Sequence, residues 1–238
     1  MTTRRSKRPV KPSACWANKR VFLLSQASLN HGKQRVLHDI SVSISEGEKV
    51  ALIGPSGAGK SSLLSLLWEQ HPADIALCPQ DNALVDILSV YQNIYMGALS
   101  RFGTFYNLLN LIRPWPARRR EVSAIAAQLG IADKLMTSPD QLSGGQRQRV
   151  ALGRALYRKQ NVFFGDEPVS SLDPAQGDAL LGDVLSLHST AVVAIHSPEL
   201  ALRHFTRIIA LQNGRIVGDW PASSVSLEQL SAIYSGGQ

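Results

Sequence analysis

The stretch from Gly54 to Ser61 constrains this chain more than any other, because it fits the pattern G-x-x-x-x-G-K-[ST] at every fixed position. Its glycines let successive backbone N–H groups turn inward on an anion, Lys60 supplies a positive charge, and the Ser61 hydroxyl suits a Mg²⁺ shell. A helix beginning near Lys60 would aim its positive end at the same anion. The pattern therefore predicts a nucleoside triphosphate site. Its expected lining is Gly54, Pro55, Ser56, Gly57, Ala58, Gly59, Lys60, Ser61 and Ser62.

The flanks of this loop have the composition that such a site requires. Val50–Ile53 is a short apolar run typical of a buried strand, and Ser62–Trp68 continues as a predicted helix. Strand, loop and helix therefore follow in the required order. A glycine-rich turn is the alternative if the loop is considered alone.

Length and composition suit one large α/β domain or a domain with an inserted subdomain, since the chain has 238 residues and is 44% hydrophobic. No apolar run approaches the roughly 20 residues that span a bilayer, and the N-terminus lacks the apolar core of a signal peptide. We therefore expect a cytosolic protein. Cys15 and Cys78 lie far apart without metal-ligand spacing and are expected to be free thiols.

The net charge of +7 lies in the first 20 residues, because no acidic residue occurs before Asp39. The basic residues there are Arg4, Arg5, Lys7, Arg8, Lys11, Lys19 and Arg20. Such a tail could contact anionic lipid or RNA, or be a solvated, disordered terminus. We expect residues 1–20 to be disordered.

The middle of the chain carries an aromatic and aliphatic cluster from Phe102 to Ile112, followed by Pro114-Trp115-Pro116 and three arginines at 118–120. This cluster is either subdomain core or a surface that docks a partner, and the sequence favours neither. Glu121–Leu129 is then predicted to be an amphipathic helix, with a second short helix from Ile131 to Leu135.

A second anion site is predicted where Leu142-Ser143-Gly144-Gly145-Gln146 runs into a helix, because glycines again present N–H groups at a helix start. One polypeptide rarely needs two such sites for one triphosphate. Here the sequence resembles the ATP-binding cassette (ABC) family, whose signature reads LSGGQ. The resemblance implies that Ser143, Gly144, Gly145 and Gln146 complete the site of a second subunit.

Further stretches agree with this resemblance in order and spacing. The strand-like Val162–Glu167 resembles the family's Walker B segment, in which Asp166 would hold Mg²⁺ and Glu167 would orient or deprotonate the attacking water. Ser171-Leu172-Asp173 resembles the D-loop at the dimer interface. His196, at the end of the apolar run from Ala191, matches the switch histidine that contacts the γ-phosphate.

Two site residues depend on position alone. Gln80 follows the strand-like run from Ile75 and would ligate Mg²⁺ and touch the attacking water; taken alone it is a loop glutamine. His31 stands between the predicted strands Val21–Leu24 and Ile40–Ile44, where the family stacks an aromatic ring on adenine. A plain turn residue is an equal alternative for His31.

The resemblance covers about Val21 to Tyr234 and implies an α/β fold for an ABC ATPase domain at 21–238. It consists of a P-loop NTPase core with a mainly parallel sheet, an N-terminal antiparallel β part and a helical subdomain inserted at about 81–141. The chain is short between Lys60 and Gln80, which we expect to trim the antiparallel part. Gly165 weakens the strand before Asp166, and Ser197-Pro198 replaces the acid that often follows the histidine.

The resemblance implies an importer subunit that binds ATP and Mg²⁺ and pairs with a second ATPase subunit at the cytoplasmic face of the inner membrane. Its partners would be separate membrane permease subunits and an extracytoplasmic substrate-binding protein, and it would not contact the cargo. Within the family, the insertion from Gly97 to Trp115, the run 168–173 and the run 208–211 most resemble phosphonate-importer ATPases.

Two rival functions stay open. A soluble ABC ATPase acting on nucleic acid or ribosomes has only the basic tail in its favour, so a nucleic-acid partner is not expected. A regulatory cassette that binds ATP without turnover is disfavoured because Glu167 and His196 are both present.

Overall fold

The computed structural model describes residues 20–32 and 34–235. The predicted disordered tail and Cys15 lie outside these ranges, apart from Arg20. A six-stranded sheet has the order β4-β5-β6-β3-β7-β8, and a separate antiparallel hairpin pairs β1 with β2. The strands are β1 (Arg20–His31), β2 (Gln34–Ser45), β3 (Lys49–Ile53), β4 (Ile75–Cys78), β5 (Val162–Asp166), β6 (Thr190–Ala194), β7 (Arg207–Gln212) and β8 (Arg215–Pro221).

The large sheet is parallel except at one edge, where β8 runs antiparallel to β7. These two strands form a hairpin, in whose turn Asn213 and Gly214 both have positive φ, as an Asn-Gly hairpin turn requires. The predicted antiparallel N-terminal part is confirmed, but its strands are longer than expected. Alternation marked only the half-buried stretches near Val21 and Ile40, whereas the exposed ends approaching His31 carry no apolar signal.

Helices cover both faces of the large sheet. They are α1 (Lys60–Trp68), α2 (Val90–Tyr95), α3 (Thr104–Ile112), α4 (Pro116–Gln128), α5 (Gly144–Tyr157), α6 (Pro174–Ser186), α7 (Pro198–His204) and α8 (Leu227–Ser235). A 3₁₀ turn at Met96–Arg101 joins α2 to α3. The short helix predicted at Ile131–Leu135 is only a 3₁₀ turn over Ala132–Lys134. Within the described ranges, no helix is both long and apolar enough to traverse a bilayer.

Two buried clusters lie on opposite faces of the sheet, as alternation along β3 illustrates. Ala51 and Ile53 pack into the cluster containing α2, α5 and α6, whereas Val50 and Leu52 pack into the cluster containing α1 and the β1–β2 hairpin. Because β3 is buried on both faces, its sequence is continuously apolar, which is how a central parallel strand differs from a half-exposed one.

The turn between β7 and β8 joins three parts of the molecule. Gly214 N donates to Ala58 O in the loop before α1 (3.1 Å), and His38 N in β2 donates to Gly214 O (2.8 Å). A Cβ at Gly214 would lie 2.1 Å from Val36 O. Glycine is therefore required both for the positive φ of the turn and for the close approach of β2.

The parallel strands bring the predicted site residues to one edge of the sheet. Asp166 ends β5, His196 follows β6 by two residues, and Gln80 follows β4 by two residues. These strands and β3 are neighbours, so their carboxyl ends, together with the loop after β3, form the crevice in which open α/β sheets bind ligands.

Candidate nucleotide site

The Gly54–Ser61 loop folds around its own lysine. Lys60 is 5% exposed, and its Nζ donates to Gly54 O (2.7 Å) and Pro55 O (3.1 Å). Burial lowers the pKa of the Lys60 ammonium, while the carboxylates of Glu167 and Asp166 oppose that shift. Lys60 lines a cavity of about 260 Å³.

Glycine is needed at both ends of this loop. Gly54 has φ of 140°, and a Cβ there would lie 2.1 Å from Leu211 O in β7. Gly59 caps α1 with φ of 101°, and a Cβ there would lie 2.7 Å from Leu37 Cδ2 in β2. The first N–H groups of α1 have no partner within the helix, so the loop and helix form an anion-binding site.

Asp166 has the environment of a metal-binding carboxylate. Burial raises the pKa of its carboxyl group; a hydrogen bond from Ser61 opposes this shift, and the neighbouring Glu167 adds to it. Its Oδ1 atom is buried and has no hydrogen-bond partner in the described part of the chain. A buried carboxylate oxygen without a partner is costly, and a divalent cation would satisfy it.

The oxygen atoms of Asp166 and Ser61 fit Mg²⁺. In residues 20–32 and 34–235, no three His, Cys, Asp or Glu side chains gather closely enough to hold a metal alone. Mg²⁺ commonly takes one or two protein ligands and completes its shell with substrate phosphates and water. This donor set is therefore appropriate for a cation that arrives with a triphosphate.

Glu167 occupies a backbone conformation that is unusual for a residue with a side chain, with φ of 54°. Four hydrogen bonds fix its backbone. Its N–H donates to Ala194 O (2.9 Å), and its carbonyl accepts from Ser170 N (3.2 Å), Ser170 Oγ (3.1 Å) and Gln148 Nε2 (2.7 Å). The surrounding structure thus holds a strained residue in place, and such strain is concentrated at functional sites.

The Glu167 carboxylate reaches His196. Its Oε1 lies 2.5 Å from His196 Nε2. Glu167 lines both the loop cavity and a second cavity of about 720 Å³, and His196 lines the second. The pair consists of a potential general base and a group that orients it, which suits activation of a water molecule. Ser197, where the sequence departs from the family pattern, caps α7 by accepting from Leu200 N (3.2 Å).

The structure brings Gln80 to the predicted place but not His31. Gln80 lines the loop cavity together with Ser56–Ser62 and Glu167, despite the short segment between Lys60 and β4. His31 is an exposed residue at the end of β1, pairs with Gln34 across the hairpin, and does not line that cavity. Its stacking on adenine stays a prediction.

The signature residues lie in a different cavity from the phosphate loop. Ser143 caps α5, accepting from Gln146 N (3.3 Å) while its own N–H donates to Gln146 Oε1 (3.0 Å). Ser143, Gly144, Gly145 and Gln146 line a cavity of about 550 Å³ with D-loop residues, and no phosphate-loop residue lines it. A Cβ at Gly145 would lie 3.0 Å from Ser171 O, so the signature and D-loop are in close contact.

Sequence reasoning missed two residues that support this site. Gln148 on α5 is 3% exposed; its Nε2 donates to Glu167 O (2.7 Å), and its Oε1 accepts from Ser171 N (2.9 Å). Tyr234 on α8 accepts from Gly54 N (3.3 Å). A polar residue on the buried stripe of α5 is a signal for Gln148, whereas Tyr234 has no comparable signal in the sequence.

Comparison with known proteins decides the family. A family profile described as ABC transporter matches residues 37–170. The phosphonates import ATP-binding protein PhnC of Pseudomonas putida is 39% identical over 89% of this chain and 89% of its own length. The PhnC of Pseudomonas entomophila is also 39% identical, over 90% of this chain and 92% of its own length.

The chain belongs to the ABC transporter family. A solved dimeric bacterial ABC transporter cassette has the same fold, with a TM-score of 0.71, 23% identity and coverage of 84% of this chain and 98% of that one. The predicted ABC ATPase fold is therefore confirmed. As an ABC ATPase the chain binds and hydrolyses ATP, and the catalytic roles of individual residues remain predictions.

Proposed function

We propose that this chain is the ATP-hydrolysing subunit of an importer for phosphonates or a related phosphorus oxyanion. The observation that carries the proposal is the 39% identity to two phosphonates import ATP-binding proteins over about nine-tenths of both chains. The identity of the cargo rests on these relatives, because no group in the nucleotide site would contact it.

The proposed hydrolysis depends on positioning and charge neutralisation. Lys60 and the loop N–H groups would hold the β- and γ-phosphates. Asp166 and Ser61, with Gln80, would hold Mg²⁺, which when bound neutralises charge on the triphosphate. Glu167 would accept a proton from the attacking water, and the 2.5 Å contact with His196 would orient its carboxylate.

The site is proposed to be completed by a second copy of the chain. The phosphate loop and Ser143 line separate cavities of one chain, so residues 143–146 of each copy would contact the triphosphate bound by the other. Hydrolysis would then be coupled to dimer opening. The proposed partners are membrane permease subunits at the cytoplasmic face of the inner membrane and an extracytoplasmic substrate-binding protein.

The alternative, a soluble ABC ATPase acting on nucleic acid or ribosomes, is not favoured by relatives named as import proteins. A regulatory cassette without turnover is disfavoured by the contact between Glu167 and His196, which such a cassette would not need.

Replacing Glu167 with Gln tests the proposal. We expect the rate of ATP hydrolysis to fall by about 10²–10⁴-fold, because the amide cannot accept a proton, while ATP binding persists. The measurement is steady-state hydrolysis by the chain assembled with its membrane subunits and a phosphonate-loaded binding protein. A matched control is Glu228→Gln at the start of α8.

Two outcomes would contradict the proposal. A wild-type complex that does not hydrolyse ATP would favour a regulatory cassette that binds ATP without turnover. If ATP hydrolysis is not stimulated by a phosphonate-loaded binding protein but is stimulated by a different cargo, the proposed substrate class is rejected.

A further inference from the structure

Helix α3 exposes apolar side chains and buries polar ones, which is the reverse of an ordinary surface helix. Its apolar side chains Phe105, Leu108 and Ile112 are 74%, 55% and 75% exposed, whereas Asn107 and Asn110 are 7% and 0% exposed. A surface helix normally buries the apolar stripe and exposes the polar one. In α3 the stripe formed by residues 105, 108, 109 and 112 faces outward.

A buried hydrogen-bond network fixes this orientation. Asn107 accepts from Tyr95 Oη (2.8 Å) and donates to Leu99 O (2.8 Å) and Phe102 O (3.0 Å). Asn110 donates to Tyr91 Oη (2.9 Å) and accepts from Trp115 N (2.9 Å). Rotating the helix to bury its apolar stripe would break these bonds and expose their partners, so the outward apolar face is built into the subdomain.

The border of this face is strongly basic. From residue 87 to residue 120 the sequence contains five arginines and no acidic residue. Across the described ranges, the side chains of Arg113 and Arg119 make no hydrogen bond or ion pair. Arg119 and Arg120 also line a cavity of about 630 Å³ between Pro114 and Ala124, directly after the apolar helix.

The charge decides which occupant fits. A second copy of the chain that docked through the same face would bring the same arginines against these, and residues 1–20 carry seven basic residues and no acidic one. Both would be repelled. Exposed Phe, Leu and Ile beside arginines, with the half-exposed Trp115 stacked on Tyr106 at the helix end, match a helix that lies in the plane of an anionic lipid surface.

We propose that α3 and the start of α4 form a direct contact with anionic membrane lipid, with Phe105, Leu108 and Ile112 entering the headgroup boundary and Arg113, Arg119 and Arg120 binding lipid phosphates. This contact goes beyond the proposed transport function and does not depend on it. Through this contact the subunit would bind the bilayer directly, in addition to any contact with the permease.

Vesicle flotation of the full chain tests the contact. Wild type should bind vesicles of phosphatidylcholine mixed with phosphatidylglycerol and bind pure phosphatidylcholine weakly. Phe105→Ser with Ile112→Ser should weaken binding to the mixed vesicles by about tenfold or more, because two exposed apolar side chains no longer enter the lipid. Arg113→Gln with Arg119→Gln should weaken it by about tenfold, and less at high salt.

Matched controls separate this surface from general effects. Leu23→Ser with Leu187→Ser removes two exposed apolar side chains elsewhere, and Lys159→Gln with Arg215→Gln removes two exposed charges elsewhere. Both controls should bind the mixed vesicles as wild type does. Residues 1–20 are present in every variant and so cannot account for a difference between them.

Two results would overturn the proposal. One is wild-type binding to mixed vesicles that is absent or is unchanged by the α3 and α4 substitutions. The other is a loss of binding to purified permease subunits by the same variants with vesicle binding intact, which would make the surface a protein interface. ATP hydrolysis by each variant in solution reports the nucleotide site separately.

Discussion

Glu167 shows how one residue in this site depends on its neighbours. A left-handed conformation at a non-glycine residue costs about 1–3 kcal/mol, so it persists only where surrounding bonds enforce it. The side-chain amide of Gln148 supplies one of these bonds, from Nε2 to Glu167 O. Its Oε1 also accepts from Ser171 N in the D-loop. Because Gln148 lies on helix α5, which begins at the signature, it links Glu167 to the segment expected to contact the partner's nucleotide.

Replacing Gln148 with Leu is expected to lower kcat by about tenfold or more, because the backbone of Glu167 would lose a hydrogen bond that keeps its carboxylate next to His196. Nucleotide affinity of the isolated chain should be unchanged, since the phosphate loop does not contact Gln148. Steady-state kinetics and equilibrium nucleotide binding check both statements. Gln128→Leu, at the exposed end of α4, is the control; equal loss of nucleotide affinity and kcat would show that Gln148 only supports folding.

His188 is expected to make the free energy of unfolding depend on pH. It is 4% exposed, donates through Nδ1 to Val184 O (2.7 Å) and packs on Phe163. Burial lowers the pKa of His188 from its ordinary value of 6.5. Since the folded state favours the neutral ring, its contribution to stability is complete above the unfolded-state pKa and is lost as pH falls through about 6.5 toward the lowered folded-state value.

The free energy of unfolding is therefore expected to fall between about pH 7.5 and about pH 5.5, and the fall should be smaller in His188→Gln. Urea unfolding at both pH values measures it. The comparison is between the two slopes, so the other histidines cancel. Equal slopes in the two proteins would mean that another group controls the acid limb.

At the scale of elements, the packing of the Met96–Arg101 turn on α5 depends on one missing side chain. A Cβ at Gly97 would lie 2.1 Å from Arg154 O, a backbone atom that cannot move aside without disturbing α5. Backbone contact of this kind places the Met96–Arg101 turn directly against the helix that begins at the signature.

Gly97→Ala should destabilise the fold by about 1–3 kcal/mol through overpacking. Gly177→Ala in α6 is the matched control: the nearest contact of its Cβ would be an ordinary 3.5 Å, and alanine is the better helix former by up to about 1 kcal/mol. Thermal unfolding of both variants should give opposite signs. A shift of the same sign in both would contradict the steric argument.

The elements could be predicted to different extents for physical reasons. Buried parallel strands such as β3 and β5 are continuous apolar runs, and the phosphate loop and signature are local patterns, so sequence identified them. Gly165 looked like a weak point in β5, but a Cβ there would lie 2.9 Å from Pro168 Cγ, so glycine makes room for the turn after Asp166.

The orientation of α3 could not be predicted, because apolar periodicity gives the stripe but not the side that is buried. That side is set by long-range bonds from Tyr91 and Tyr95.

For the whole molecule, separate cavities for the phosphate loop and the signature predict a site shared between two copies. In the Glu167→Gln background, Mg·ATP should produce a dimer, and adding Ser143→Arg should abolish it while each chain still binds ATP. Sedimentation with and without nucleotide measures this. Adding Ser186→Arg, at the exposed end of α6, should leave the dimer intact. A dimer that tolerates Ser143→Arg would mean that the signature does not face the partner's nucleotide.

The two backbone hydrogen bonds of Gly214 have a mechanical consequence. Its N–H donates to Ala58 O in the loop before α1 and its carbonyl accepts from His38 N in β2, so the small hairpin sheet and the phosphate loop are linked through this one residue. A tilt of that hairpin would therefore either break one of these two hydrogen bonds or pull the loop before α1, and any anion that the loop holds, along with it.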